Sequence, residues 1–337
     1  MNQDVLNFKQ RREAFAKRPK KSFLWSGIRE KTFGLVFGPA KSGKTIFCEN
    51  MAMKIAIGAP EYFGYPLSGV PRKVLIIGME EFWEDSTERN IKQYDALNED
   101  QKKLADQNLF FQPIDFENMI VTDKNWSNLE KIVIRSKANV VFIDSITRMC
   151  PGKMEQSDTA HTVVKKLRDI CQSLGITLIC IHHTPKMNGS AITVDKIKGS
   201  AVFQQEVDFA IGINRTSKNH RYQKNVIFRY ASDNDDFVKE FYIDDNIWLQ
   251  YQGNANEEEI INRSDRRRQD DKRYEIVNFF NSNSSVSFKT SELIDHFKTD
   301  LSISVRQIKT YLTELTETEK IKSTKHGYYS SIYYENK

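Results

Sequence analysis

Apolar residues follow two alternating patterns over roughly the first half of the chain. Short apolar runs, rich in β-branched residues, are separated by longer segments in which apolar residues recur every three or four positions. The runs predict buried strands, and the longer segments predict amphipathic helices. The predicted strands lie at residues 32–37, 73–79, 109–113, 139–144 and 176–181. Apolar strands that alternate with helices form parallel sheets covered on both faces, so the pattern predicts an α/β fold.

Beyond Val207 the apolar runs follow one another without helical segments between them. Residues 207–213, 222–230, 238–243 and 247–251 have the pattern of consecutive strands joined by short turns. Short turns join antiparallel strands, whereas parallel strands need a longer crossover. We therefore expect a mostly parallel sheet with an antiparallel extension at one edge.

Changes in composition divide the chain into parts. Gly253 opens a polar stretch that runs into an almost continuous series of charged residues at 257–273, which indicates a domain boundary. The predicted parts are a basic N-terminal arm (1–22), an ATPase-like core (23–252), a charged linker (253–270) and a small C-terminal domain (271–337). The arm carries basic residues around Phe8 and Phe15, so it is a solvated helix, a helix that packs on a neighbouring subunit, or a nucleic-acid contact.

The C-terminal part has its own pattern. Helical periodicity at about 271–281, 291–297 and 305–316 precedes two tyrosine-rich segments on either side of Gly327. Three helices followed by a hairpin are typical of a winged helix, which is a variant of the helix-turn-helix. In that case residues 305–316 form the recognition helix, and Arg306, Lys309 and Lys325 are available to contact DNA. The alternative is a winged helix that makes only protein contacts.

The residues between the first predicted strand and the following helix fit the phosphate-binding loop pattern G-x-x-x-x-G-K-[ST] at every fixed position. They are Gly38, Pro39, Ala40, Lys41, Ser42, Gly43, Lys44 and Thr45. The two fixed glycines allow the backbone N–H groups to point at phosphate oxygens. Lys44 is placed to reach the β- and γ-phosphates, and the Thr45 hydroxyl is placed to bind Mg²⁺. The sequence therefore predicts a site for a nucleoside triphosphate.

Acidic residues follow two of the predicted strands. Asp144 ends an apolar run, and such a residue lies at the carboxyl edge of the sheet, where nucleotides bind in open α/β folds. We expect it to hold Mg²⁺, although a strand-terminal cap is the alternative. Glu80 ends the second strand and is the candidate that activates water for hydrolysis. Glu81 is its rival, and a solvated pair of glutamates is the simplest alternative.

The fifth strand ends in His182 and His183. Neighbouring residues of a strand point to opposite faces, so the two histidines are not expected to chelate a metal. His183 is instead the candidate that contacts the γ-phosphate, with a polar cap as the alternative. A polar segment follows at 185–200, in which Lys186, Lys196 and Lys198 are candidates to bind a phosphate backbone. A mobile loop without that role is the alternative.

Bulk composition limits the classes of protein. The chain has 337 residues and a formal net charge of +5, which is compatible with nucleic-acid binding without being diagnostic of it. The apolar runs are shorter than a membrane span requires, and the N-terminus lacks the apolar stretch of a signal peptide. We therefore expect a cytoplasmic protein without membrane contacts.

The order of these motifs resembles that of RecA-fold hexameric helicases, most closely the plasmid RepA-type and DnaB-like replicative helicases. The resemblance extends from about Phe23 to Tyr251. Its pieces are the phosphate-binding loop, residues 77–81, 140–145, 180–186 and 198–210. It implies a RecA-like core that binds ATP and Mg²⁺, assembles as a hexamer and grips single-stranded DNA.

The resemblance also assigns roles. It implies that Glu80 is the catalytic glutamate, that His183 is the phosphate sensor, and that Arg229 is donated to the ATP of the neighbouring subunit. Arg215 and Lys224 are rivals for the last role, and an exposed strand residue is the alternative. The family does not obviously include the C-terminal domain. Two other functions therefore stay open: an ATP-dependent DNA-binding regulator of replication or transposition that does not unwind DNA, and a signalling ATPase without DNA.

Overall fold

The computed structural model describes residues 5–18, 20–117, 119–149, 157–185, 187, 190–197, 200–216, 220–230 and 237–334. The chain divides into two compact units, residues 1–258 and 259–337. Within the described ranges, no helix is both long and apolar enough to cross a membrane.

The strands of the described residues are, in chain order, β1 (Phe23–Trp25), β2 (Ile28–Arg29), β3 (Phe33–Gly38), β4 (Glu61–Tyr62), β5 (Tyr65–Pro66), β6 (Val74–Gly78), β7 (Leu109–Phe111), β8 (Val140–Asp144), β9 (Thr177–His183), β10 (Phe209–Arg215), β11 (Arg221–Phe228), β12 (Val238–Ile243), β13 (Leu249–Ala255), β14 (Ser287–Lys289), β15 (Ile321–Lys325) and β16 (Tyr328–Ser331). The helices are α1 (Phe8–Ala16), α2 (Lys44–Ala56), α3 (Trp83–Asp95), α4 (Glu99–Asn108), α5 (Asp123–Ser136), α6 (Ser157–Leu174), α7 (Ser200–Glu206), α8 (Glu257–Ser282), α9 (Thr290–Asp300) and α10 (Val305–Glu317). Short 3₁₀ turns lie at Ile146–Met149 and Val194–Lys196.

The first unit is built on a nine-stranded sheet in the order β13-β12-β11-β10-β3-β9-β8-β6-β7. The six strands from β10 to β7 in this order pair in parallel, and β11, β12 and β13 add to the β10 edge in antiparallel pairs. The structure confirms the predicted α/β class, with a mostly parallel sheet and an antiparallel extension at one edge. Every residue of β3 is buried, as expected for a central strand covered on both faces.

An aromatic cluster fixes α2 against the sheet. The ring of Trp25 meets those of Phe47 and Tyr65 edge to face, at centroid distances of 5.8 and 5.2 Å. Its indole N–H donates to the backbone oxygen of Tyr62 at 2.6 Å, which satisfies the polar atom of a fully buried side chain. Since α2 begins at Lys44, this cluster also fixes the helix that follows the phosphate-binding loop.

The sequence pattern did not predict α4. Its residues are mostly polar, and Ala105 is the only one of them that is buried. The helix is instead defined at its start, where Asn98 and Gln101 form a reciprocal capping box. A helix with one buried position gives almost no apolar periodicity, which is why the pattern missed it.

The N-terminal arm contains α1, which also begins with a capping box, formed by Asn7 and Gln10. None of the residues of α1 is buried, and Phe8 and Phe15 are 82% and 66% exposed. A solvated helix, a helix that packs on a neighbouring subunit and a nucleic-acid contact therefore all stay open for this arm.

The predicted charged linker at 253–270 coincides with regular structure. β13 extends to Ala255, and α8 begins at Glu257 and continues to Ser282, well before the predicted helix start near residue 271. The charge order explains the helix: acidic residues Glu257, Glu258 and Glu259 occupy its first turn, where they complement the positive end of the helix dipole.

The second unit has the order helix, strand, helix, helix, strand, strand. Its three strands form a sheet in the order β14-β16-β15 around a separate apolar core that includes Phe280, Phe297 and Leu312. The guanidinium of Arg273 on α8 pairs with Glu314 on α10 at 2.6 Å. The predicted helices and hairpin are present, and the short strand β14 is an addition that the pattern did not predict.

Candidate active site

The phosphate-binding loop lies at the carboxyl edge of the sheet, between β3 and α2. Gly43 has φ of +100°, a conformation that favours glycine. A side chain at Gly38 would place its Cβ 2.0 Å from the backbone oxygen of Ile213, so only glycine fits against β10 there. Both fixed glycines of the pattern are therefore required by the backbone and its close packing.

Lys44 is 4% exposed, and its Nζ donates to the backbone oxygen of Pro39 at 2.8 Å. Burial lowers the pKa of Lys44 to about 8, although the nearby carboxylates of Asp144 and Glu80 act in the opposite direction. The ammonium is thus held inside the loop. Ser42 is fully buried, and its hydroxyl has no hydrogen-bond partner among the described residues. An orphaned donor inside the loop fits the phosphate ligand that the pattern predicts.

Thr45 and Asp144 meet as the Mg²⁺ hypothesis requires. The Thr45 hydroxyl donates to Asp144 Oδ2 at 2.6 Å, across 99 positions of sequence. Burial raises the pKa of Asp144 to about 6, which the Thr45 hydrogen bond only partly offsets. In the described part of the chain no group of three or more His, Cys, Asp or Glu side chains could hold a metal. This donor set fits Mg²⁺, which in nucleotide sites takes few protein ligands and several phosphate oxygens and waters.

Glu80 lies beside this pair and is held by several donors. Its Oε1 is 2.9 Å from His183 Nε2, accepts from Thr147 at 2.9 Å, and also accepts from Ser145. Partial burial alone would raise the pKa of Glu80, but the hydrogen bonds from His183 and Ser145 outweigh it and lower the pKa to about 2. Glu80 is therefore stabilised as an anion, and its basicity depends on these partners.

The two histidines at the end of β9 separate as the strand pattern predicts. His183 faces Glu80, whereas His182 is fully buried and its ring lies 4.9 Å from that of Phe203. They do not form a chelating pair. His183 contacts the carboxylate of Glu80, an interaction that the sequence did not predict; its contact with γ-phosphate stays a prediction.

The model of one protein family, described as "AAA domain", matches residues 3–189. This range is 189 − 3 + 1 = 187 of the 337 residues, more than half of the chain. The chain belongs to the AAA domain family. The matched range contains the phosphate-binding loop, Glu80, Asp144 and His183, so the site described above is that of a P-loop ATPase.

The AAA protein is also similar to a solved structure whose title describes an "ATPase Domain", with 14% sequence identity and a TM-score of 0.48. That similarity covers 67% of this chain and 85% of the other. A search of curated proteins found no match.

Glu81, the rival of Glu80, is engaged elsewhere in the AAA domain. Its carboxylate pairs with the guanidinium of Arg89 on α3 at 2.7 Å. Glu80, in contrast, faces His183 and the residues that follow Asp144. The geometry thus favours Glu80 as the group that activates water, which stays a prediction.

Arg229 lies at the opposite edge of the sheet from the phosphate-binding loop. It follows Phe228, which pairs with Phe209, which in turn pairs with Gly34 near the start of β3. Since β3 spans roughly 17 Å at about 3.3 Å per residue, Arg229 cannot reach the nucleotide of its own AAA domain. Its guanidinium pairs with Asp208 at 3.0 Å and donates to the backbone oxygen of Gln205 at 3.1 Å.

The rivals of Arg229 are placed differently. Lys224 forms an ion pair with Glu257 and donates to the backbone oxygen of Ile192 at 3.3 Å. Arg215 ends β10 at the edge that carries the phosphate-binding loop, opposite Arg221 of β11. The side chain of Arg221 packs directly on the loop: a Cβ at Gly43 would lie 3.3 Å from its Cδ. The sequence analysis missed Arg221, because nothing in its local pattern shows that β11 passes beside the loop.

The predicted DNA contacts are dispersed. Lys186 and Lys198 lie outside the described residues, and Lys196 ends the half-buried 3₁₀ turn at Val194–Lys196. Arg306 and Lys309 are exposed on α10 in the second unit. Lys325 ends β15, is exposed, and its Nζ lies 4.2 Å from the centre of the Tyr328 ring.

Proposed function

We propose that this AAA protein is an Mg-ATP-dependent DNA helicase or translocase of the plasmid or mobile-element replication type, which acts as an oligomeric ring, most simply a hexamer. Family membership supports ATP hydrolysis, and the order of motifs supports the RecA-like helicase core. The observation that carries the proposal is the contact of His183 with Glu80 at 2.9 Å. It joins the candidate catalytic base to the strand that leads directly into the segment with Lys186, Lys196 and Lys198.

In this mechanism the loop and Lys44 bind the phosphates of ATP, and Thr45 and Asp144 hold Mg²⁺. When bound, Mg²⁺ supplies positive charge that stabilises the charge developing on the phosphates. Glu80 accepts a proton from the attacking water. Because its pKa of about 2 makes it a weak base, its partners must release it for proton transfer to be efficient. His183, the principal hydrogen-bonding partner, releases Glu80 when it turns to the γ-phosphate.

The segment after His183 is connected to the rest of the core at Ile192. The Ile192 N–H donates to Glu257 Oε1 at 2.7 Å, and the Tyr222 hydroxyl donates to the same oxygen at 2.8 Å. A displacement of His183 is therefore transmitted to β11 and to the first turn of α8. This is the route by which we propose that phosphate release alters the grip on single-stranded DNA.

The second unit is proposed to bind DNA as a winged helix. Its element order, α8-β14-α9-α10-β15-β16, supports this assignment. The exposed Arg306 and Lys309 on α10 would enter a groove, and Lys325 on the hairpin would contact the backbone of a duplex. This unit would recruit the ring to its origin, and the alternative of a protein-binding winged helix stays open.

The decisive experiment measures ATP hydrolysis with and without single-stranded DNA, and displacement of an annealed strand. We expect hydrolysis to rise several-fold with DNA, because hydrolysis and grip are coupled through His183, and we expect the annealed strand to be displaced only with hydrolysable ATP. Both effects should weaken steeply with added salt if lysines bind the phosphate backbone.

The alternatives give different results in the same assay. ATP-dependent DNA binding without strand displacement would favour the replication or transposition regulator. Hydrolysis that DNA neither stimulates nor requires, together with no DNA binding at low salt, would contradict a DNA function and favour a signalling ATPase.

Arg229 is proposed to complete the site of the neighbouring subunit. Its position, away from its own nucleotide and 43% exposed, supports a role between subunits that requires the pair with Asp208 to open. Arg229→Ala and Glu80→Ala proteins should each be inactive alone. Mixed in equal amounts, they should recover about one quarter of wild-type hydrolysis, because about one quarter of the interfaces in random rings combine an intact Glu80 with an intact Arg229.

The control for this experiment mixes Glu80→Ala with Lys44→Ala, two defects on the same side of the interface. That mixture should stay inactive, since no interface regains both groups. An inactive mixture of Arg229→Ala and Glu80→Ala would reject Arg229, and the same experiment with Arg215→Ala would then test its rival. The mass in solution with ATP and DNA shows whether rings form.

A further inference from the structure

A buried ion pair joins α2 to α3. Arg89 on α3 donates to both carboxylate oxygens of Glu49 on α2, from Nε at 2.9 Å and from Nη2 at 2.7 Å. The Glu49 side chain is 6% exposed, and it also accepts from Gln93 Nε2 at 3.1 Å. Glu49 lies one turn after Thr45 on the helix that begins with Lys44. Arg89 is therefore fixed, through two parallel hydrogen bonds, to the helix that carries the phosphate ligands.

The same guanidinium has a third partner. Its Nη1 pairs with Glu81 Oε2 at 2.7 Å, and Glu81 directly follows Glu80. Residues 80 and 81 lie between the end of β6 and the start of α3, outside both elements. A segment of this kind has few internal constraints, so an ion pair to a neighbouring helix strongly restricts its position.

We propose that Arg89 is a positioning residue for hydrolysis: by bridging Glu49 on the nucleotide-binding helix and Glu81 beside Glu80, it sets the distance between the candidate catalytic carboxylate and the phosphate-binding loop. This inference rests on the proposed function, because it takes Glu80 as the group that activates water. It also assigns a role to Glu81, which supports Glu80 and does not replace it.

The chemistry of this position requires arginine. A planar guanidinium presents donors in several directions at once, and here it holds two carboxylates that lie on different elements. A lysine ammonium carries the same charge but has neither the reach nor the fixed geometry for a bidentate pair and a third contact. The arrangement therefore predicts that charge alone does not replace Arg89.

The test compares hydrolysis and nucleotide binding in variants of the full chain. Glu81→Gln removes only the contact beside Glu80, and we expect it to lower kcat by about tenfold. Arg89→Met should lower kcat by about 100-fold, the effect of a misplacement near 1 Å in an active site. Arg89→Lys should restore little of this loss. In each variant the KM for ATP and the affinity for a non-hydrolysable ATP analogue should change less than about twofold, because the phosphate ligands are untouched.

Two further variants separate positioning from stability. Arg89→Met leaves Glu49 buried without its partner and is expected to lower the melting temperature, whereas the double variant Glu49→Met/Arg89→Met removes the pair as a unit and should fold well. Its kcat should nevertheless stay as low as that of Arg89→Met. In the Arg89→Met background, Glu81→Gln should have no additional effect on kcat, because both changes remove the same contact.

The matched control is Lys92→Met, which removes a cation from the same helix. Lys92 pairs with Glu88 at 3.5 Å on the exposed side of α3 and does not involve residues 80 and 81, so kcat should be unchanged. Wild-type kcat in both Glu81→Gln and the double methionine variant would overturn the inference about Arg89. Wild-type hydrolysis in Glu80→Gln would instead overturn the proposed function itself, so the two failures are distinguishable.

Discussion

Glu80→Gln is expected to lower kcat for ATP hydrolysis by about 100- to 10,000-fold, the range for loss of a general base. The amide has nearly the same shape as the carboxylate, and its oxygen can still accept hydrogen bonds from Ser145 and Thr147. It cannot take up a proton from water. Binding of ATP should therefore survive, and the measurement is single-turnover hydrolysis beside equilibrium titration of ATP.

The control for this prediction is Glu84→Gln, which removes an exposed carboxylate from the first turn of α3. Its kcat should equal that of the wild type. If Glu80→Gln hydrolysed ATP at the wild-type rate and Glu81→Gln did not, the roles assigned to the two neighbours would be reversed. That outcome would require Glu81 to leave Arg89, whose guanidinium it contacts at 2.7 Å.

Lys44→Ala is expected to weaken ATP binding by at least about 100-fold and to remove measurable hydrolysis. Lys44 is placed to donate to both the β- and γ-phosphates, and two charge-assisted hydrogen bonds of about 1.5–3 kcal/mol each correspond to that change in affinity. Titration of the protein with a fluorescent ATP analogue measures the affinity directly. A variant that still turned over ATP would contradict the assignment of the whole site.

Lys41→Ala is the matched control, since it removes an exposed cation from the same loop. It should keep most of the ATP affinity. The pKa of Lys44, at about 8, provides a second measurement on the wild type. The ammonium loses its proton as the pH rises through this value, so kcat/KM for ATP should fall above about pH 8, whereas binding should not depend on this group below it.

The sequence by itself determined the parts of the site that are contiguous in the chain. The loop from Gly38 to Thr45 is recognisable because its glycines, lysine and threonine act through fixed local spacing. The apolar runs gave the strands and, through their alternation with helices, the parallel sheet that the structure confirms. Asp144 and His183 were placed at the correct edge because each ends a strand, and the carboxyl ends of parallel strands share one edge.

Only the tertiary structure decided which of these residues meet. β8 lies between β6 and β9 in the sheet, so Glu80 and His183 come within 2.9 Å although 103 positions separate them in the chain. Periodicity shows that a strand exists and which residues face inward, but it does not contain the order of strands. The pairs of Glu49 and Glu81 with Arg89, the pair of Arg229 with Asp208, and the packing of Arg221 on Gly43 all depend on that order. The mostly polar helix α4 is the converse case, since too little apolar surface faces the core to leave a pattern in the sequence.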